Sequence, residues 1–267
     1  INPILGCEVY TAPRSMKDKD PRQDAEQGHL ILLAKDNNGY RNLMKLVSLG
    51  FTDGFYYKPR IDYELLKEYH EGLIALSACL GGDIPQKLIN GDYEGAKNLA
   101  VKLNSIMGDG NFYLELQYNG LSEQIIVNEG LVKISQETGI PLIATNDVHY
   151  VYREDAKAQD ILICIQTAKT LNDPDRMQFE SDELYLKSPQ EMWENFKAYP
   201  EALQNTVRVA EQCNVEIKFG ELHLPKYDVP EGKDSFEYLR EQCVKGFKER
   251  YGDDMTQFQR LEYELSV

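Results

Sequence analysis

The sequence predicts an α/β fold, and three observations carry that prediction. Apolar runs of strand length alternate with amphipathic stretches of helical spacing through roughly the first 150 residues. The run Pro141 to Ala144 is apolar throughout, as in strands buried on both faces. Side chains able to bind a metal interrupt or end several of these runs, where β/α barrels carry their chemistry. The alternation implies parallel strands, in a sheet either open or closed into a barrel.

Ile4 to Tyr10 reads as the first strand and carries Glu8 among apolar neighbours. Thr11 to Gln27 is polar, with Pro13 and Pro21, and reads as a solvated, mobile loop. Gly28 leads into a second strand over His29 to Lys35, and Asn37-Asn38-Gly39 turns into a helix through Tyr40, Leu43, Leu46, Val47 and Phe51. Tyr56-Tyr57-Lys58-Pro59-Arg60 reads as an exposed loop, and Asp62 as the N-cap of a short helix. Leu73 to Cys79 is the third strand, ended by Gly81-Gly82. Helix follows, is broken near Asn90-Gly91, and resumes from Tyr93 to Met107. Phe112 to Tyr118 is the fourth strand, Leu121 to Thr138 a helix with Gly139 as its C-cap, and PLIATND the fifth strand.

The pattern changes after Tyr150. Asp155 to Thr167 is helical, and Leu184 to Leu186 reads as a short strand. Ser188-Pro189-Gln190-Glu191 has the cap, the N1 proline and the N3 acid of a helix start; that helix extends to about Cys213, with an interruption at Pro200. His223 to Pro230, HLPKYDVP, reads as an extended linker before two further helices, Ser235 to Tyr251 and Met255 onward.

A chain of 267 residues with 42% hydrophobic content suits one large domain, or one with part of a second. Its formal charge of −15, from 29 basic and 44 acidic residues, argues against a surface that grips a phosphate backbone throughout. Five cysteines without framework spacing read as reduced thiols, and no run approaches membrane-spanning length. The expectation is a cytoplasmic protein. Both ends read as cut: the chain starts at Ile1 in front of a strand, and LEYELSV stops inside a helical pattern.

Glu8, His29, Cys79 and the pair Asp147/His149 share one property, a metal-capable side chain within or at the end of an apolar strand. A polar group buried there without a partner costs roughly 2–7 kcal/mol, and one shared cation would meet that cost for all of them. Carboxylate, imidazole and thiolate are ordinary zinc ligands; manganese or iron favours the oxygen and nitrogen members. Each residue alone has a plainer reading. D-x-H also marks an Asx turn, Cys79 a small core residue, and His29 a strand-edge hydrogen-bonder. His70 and His223 read as structural. Lys58 and Arg60, with Tyr56 and Tyr57, are candidate nucleic-acid or partner contacts.

Several stretches resemble one family. GCEVY, HLILLAKDNNGYRNL, GFYYKPRID, GLIALSACLGGDI, FYLELQ, ATNDVHY, ELYLKSPQEM and HLPKYDVP occur in order from Gly6 to Pro230. They are similar to the PHP (polymerase and histidinol phosphatase) domain of the bacterial replicative DNA polymerase III alpha subunit. The resemblance implies a distorted seven-stranded β/α barrel over residues 1–222, lacking its first strand, with 223–267 as linker and start of the polymerase palm. It assigns Glu8, His29, Cys79, Asp147 and His149 to a divalent-metal cluster, zinc or manganese, acting in phosphodiester hydrolysis of 3′–5′ exonuclease type or as a docking platform. It further implies magnesium-dependent DNA polymerisation by the parent from palm acids beyond Val267. The partners it implies are DNA, deoxynucleoside triphosphates, a proofreading exonuclease and a sliding clamp, with no membrane. The rival reading is a free-standing PHP phosphatase acting on a small phosphomonoester.

Overall fold

The structure, a computed structural model, describes residues 2–222 and 224–266. They fall into two compact units, one running to Glu216 and one beginning at Ile217.

The first unit is built on β1 (Gly6–Thr11), β2 (Gly28–Ala34), β3 (Arg60–Ile61), β4 (Leu73–Leu76), β5 (Phe112–Gln117) and β6 (Leu142–Thr145). They form one open six-stranded sheet in the order β3-β1-β2-β4-β5-β6. The expectation of uniformly parallel strands needs correction. β2 runs antiparallel to both its neighbours, β1 and β4, while β1–β3, β4–β5 and β5–β6 pair in parallel. The segment joining β1 to β2 contains no helix and returns the chain as a long hairpin, which dictates antiparallel pairing. This reversal matters for function. It puts the amino end of β2 at the same edge of the sheet as the carboxyl ends of β1, β4, β5 and β6.

Around the sheet lie α1 (Asn37–Thr52), α2 (Tyr63–Tyr69), α3 (Asp83–Ile89), α4 (Tyr93–Met107), α5 (Ser122–Thr138), α6 (Ala156–Gln166), α7 (Pro189–Phe196) and α8 (Pro200–Gln212). Leu30, Leu32 and Ala34, alternate residues of β2, join Phe112, Leu114 and Leu116 of β5 in the main core. The inner faces of α4 and α5, with Leu103, Val127, Leu131 and Ile134, complete it. On the opposite face Ile74, Leu76, Tyr113 and Ile143 meet Val209 and Cys213 at α8. The Asn205 side chain of α8 donates to the Leu142 carbonyl of β6 at 2.7 Å. All six residues of β5 are buried, so Glu115 and Gln117, which alternate with the main-core residues, are enclosed as well.

The helix boundaries follow local chemistry. Asp36, Asp62 and Asp92 accept N-cap bonds at the starts of α1, α2 and α4. Ser188 and Glu191 close a reciprocal capping box around Pro189, and Gly139 ends α5 in the left-handed conformation. The predicted strand at Leu184–Leu186 reduces to a single bridge, Tyr150 with Tyr185.

The loop after β1 is solvated along most of its length, as its composition suggests, and is anchored at a few buried points. Ala12 and Met16 enter the main core, and the buried Asp24 carboxylate accepts from Arg14 Nε and Nη2 at 2.9 and 2.6 Å.

In the second unit, residues 224–234 have no regular structure; His223, part of the predicted linker, lies outside the described residues. Here α9 (Ser235–Tyr251) and α10 (Met255–Ser266) meet at Phe247, which packs edge-on against Phe258. The Asp254 carboxylate accepts from the Thr256 and Gln257 amides and caps α10. Among the described residues no helix is long and apolar enough to cross a membrane.

Candidate metal centre

Three of the five predicted ligands meet at one edge of the sheet. The β1–β2 pairing sets Tyr10 opposite His29, so Glu8 and His29 lie on adjacent strands near the same mouth. Past the end of β4 the chain turns back, and the His29 amide donates to the Gly81 carbonyl at 3.0 Å. That close approach requires glycine. A Cβ on Gly81 would lie 2.9 Å from His29 Nδ1, and one on Gly82 would lie 2.3 Å from the Ser77 carbonyl. Cys79 is thereby delivered to the imidazole.

His29 Nδ1 is 2.8 Å from Glu8 Oε1 and 3.7 Å from Cys79 Sγ, and the three donor atoms lie within 4.8 Å of one another. The Glu8 side chain is 44% exposed and that of His29 26%, so the triad is open to solvent on one side. Hydrogen bonding to Cys79, and then to Glu8, pushes the His29 imidazole up to about 10. The same contact from His29 holds the Glu8 carboxyl below its usual range. Without a metal, the imidazolium is the cation that two electron-rich neighbours share.

The donor set fits a divalent ion. Tetrahedral zinc bonded to sulfur, nitrogen and oxygen at about 2.0–2.3 Å spaces its ligand atoms roughly 3.3–3.7 Å apart. The Cys79–His29 separation already matches that spacing, and Glu8 would withdraw by about half an ångström. The widest of the three separations, up to 4.8 Å, would have to close by about 1 Å for the three to share one ion.

Asp147 and His149 follow β6. His149 Nε2 is 4.0 Å from Asp147 Oδ1, and the His149 amide donates to the Leu184 carbonyl at 2.9 Å. Asp147 has φ +45°, a left-handed conformation that aspartate tolerates better than most residues. Phe179 stacks flat on His149, with ring centroids 4.8 Å apart. Burial, with repulsion from Glu8, raises the Asp147 carboxyl, while His149 and His29 oppose that rise. His149 in turn helps to lower Glu8. The pair therefore shares the triad's electrostatic neighbourhood, although the tight 4.8 Å group comprises Glu8, His29 and Cys79.

The proposed contact residues divide. Lys58 is exposed, its Nζ 5.5 Å over the Tyr10 ring. Arg60 is fully buried, which corrects the reading of an exposed basic loop. Its guanidinium donates to the carbonyls of Gly54, Asp24, Met16 and Asp18 at 2.8–3.1 Å and is unavailable to nucleic acid or to a partner. His70 caps α2, Nδ1 lying 2.8 Å from the Lys67 carbonyl.

One buried acid escaped the sequence reading. Glu115 sits in the apolar hexamer FYLELQ, the same signal that exposed Glu8, and burial raises its carboxyl.

The His29 shift carries a pH dependence for the metal-free chain. Its folded value lies above the unfolded value of about 6.5, so the stabilisation is complete below that pH. It is lost as pH rises through about 10. Melting temperatures measured in chelator should fall from pH 6.5 towards 10, and the fall should shrink in Glu8→Gln. An equal fall in both proteins would show that this contact is not its source.

An open α/β sheet with an imidazole, a cysteine sulfur and a carboxylate converging at one edge presents a candidate metal-binding site. The PHP domain family model matches residues 1–119. Over its length the chain is similar to DNA polymerase III subunit alpha. It is 47% identical to that of Borreliella burgdorferi and 44% to that of Treponema pallidum, each over 100% of this chain and 24% and 23% of the relative. Identity to the Thermus aquaticus subunit is 41%, over 96% of this chain and 22% of the relative. The chain spans about a quarter of the length of these relatives.

Proposed function

We propose that this chain is the PHP-domain portion of a DNA polymerase III alpha subunit, and that its sheet-edge cluster is a phosphoesterase-type metal site. The observation carrying this reading is the approach of Glu8, His29 and Cys79 to within 4.8 Å. In this reading Asp147 and His149 complete the set, residues 1–222 are the PHP domain, and 223–267 lead into the palm. The finer fold is a seven-stranded barrel, one strand more than the six described. Zinc or manganese is the resident ion, and bound there it would polarise a phosphodiester and activate water. Glu8, His29, Cys79, Asp147 and His149 would hold the ion, and the open side of the triad would admit a phosphate. The parent would be a cytoplasmic DNA-directed DNA polymerase using magnesium, DNA and deoxynucleoside triphosphates, assembled with a proofreading exonuclease and a sliding clamp.

The test pairs two assays of the chain: release of label from the 3′ end of single-stranded DNA with Mn2+ or Zn2+, and primer extension with Mg2+ and the four triphosphates. Hydrolysis abolished by Cys79→Ala supports a phosphoesterase. Metal-dependent stabilisation without hydrolysis makes the domain a docking platform and overturns the catalytic part. Primer extension by this chain would overturn the placing of the polymerase acids beyond Val267.

A further inference from the structure

Glu115 is 5% exposed and belongs to neither arm of the candidate site, yet its carboxylate bonds to both. Oε2 accepts from the Ala78 amide at 3.0 Å, one residue before Cys79. Oε1 accepts from the Thr145 hydroxyl, two residues before Asp147, and from Gln117 Nε2 at 3.0 Å. The Glu115 amide itself donates to Ser77 Oγ at 2.8 Å, so the turn after β4 is held to β5 from two directions.

Backbone geometry shows what this carboxylate restrains. Ala78 is buried with φ +65°, a left-handed conformation unfavourable for alanine. Asp147 is left-handed too. Such conformations persist only where the surroundings over-determine them. At both places the surroundings include the same carboxylate, bonded to Ala78 itself and to Thr145, two residues before Asp147.

We propose that Glu115 is a positioning residue that sets the Cys79 turn and the Asp147/His149 loop relative to one another. It acts through Ala78 on one side and Thr145 on the other. As a metal-positioning role this rests on the metal reading above; as a brace between two loops it stands on the bonds alone. A glutamate that merely satisfied a buried pocket would contribute to stability without coupling the two loops.

The variants are Glu115→Ala, which removes both bonds, and Glu115→Gln. In the latter one oxygen still accepts from Ala78, while the new amide donates to Thr145 Oγ1 and, once the Gln117 amide turns over to present its oxygen in place of Nε2, to Gln117 Oε1, a buried atom without a partner in the wild type. The probe is Co2+, titrated into the whole chain and read by thiolate-to-cobalt absorption. Glu115→Ala should weaken cobalt binding by about 10–100-fold and diminish that absorption, whereas Glu115→Gln should stay within about threefold of wild type. The second readout is the amide NMR spectrum of the metal-free chain. Glu115→Ala should shift the resonances of Cys79 and of Asp147–His149 together, Glu115→Gln neither, and Thr145→Val those of Asp147–His149 alone. A Glu115→Ala chain that melts lower but binds cobalt as wild type, or in which only one loop's resonances move, would overturn the proposal. If the wild type takes up no cobalt, the metal reading fails, and the NMR comparison still decides the coupling.

Discussion

Arg60→Ala should destabilise the chain by about 3–5 kcal/mol, while Lys58→Ala, two residues away, should change stability by no more than about 0.5 kcal/mol. The contrast follows from where the two side chains go. Lys58 reaches into solvent over Tyr10. Arg60 is fully buried and donates to four carbonyls drawn from two segments, residues 16–24 and Gly54. Truncation would leave those carbonyls facing a void, each unsatisfied one costing about 1–3 kcal/mol before water or backbone movement relieves part of it. It would also release residues 16–24 from their tie to Gly54. Arg60→Lys should recover little, because an ammonium cannot span the four acceptors that the planar guanidinium reaches. Urea denaturation of the three variants measures the effect. An Arg60→Ala protein within about 1 kcal/mol of wild type would show that the loop holds itself in place.

Arg60 also marks the limit of what the sequence could disclose. YYKPR has the composition of a surface loop, and nothing local indicates that residues 16, 18, 24 and 54 present carbonyls to one point. Strand direction was hidden for a related reason. The period-two pattern of HLILLA reads the same in either direction, so the reversal of β2 lies in its connection and not in its residues. Helix boundaries were legible because their determinants are local: Asp62, Ser188 with Glu191, and Gly139 act on amides within a few positions. Candidate ligands were legible as polar intrusions into apolar runs. The same intrusion at Glu115 shows the ambiguity of that signal, since Glu8 is open to solvent whereas Glu115 is enclosed. Which acid faces a cation and which braces a loop depends on neighbours far away in the chain.

Divalent-metal binding should strengthen by at least about tenfold per pH unit between pH 7 and 9, because the triad must release the His29 proton to accept an ion. The imidazole is held up to about 10 by Cys79 and Glu8, so throughout that range the metal competes with a bound proton. An unperturbed histidine, titrating near 6.5, would impose no such slope above neutrality. Replacing His29 by alanine removes both a ligand and the competing proton. Affinity at pH 9 should therefore fall by at least about 100-fold, and the pH slope should lose about one proton. Cys79→Ala should weaken binding as well and lower the His29 pKa, moving the onset of proton competition to lower pH. Among the described residues three donors lie in contact, fewer than the four of a closed zinc site, so the wild-type ion should be lost on prolonged dialysis. Titration calorimetry in two buffers of different ionisation enthalpy, repeated at pH 7, 8 and 9, counts the released protons directly. Affinity independent of pH over that interval, or a His29→Ala protein that binds as tightly as wild type, would remove His29 from the metal site and with it the triad on which the phosphoesterase reading rests.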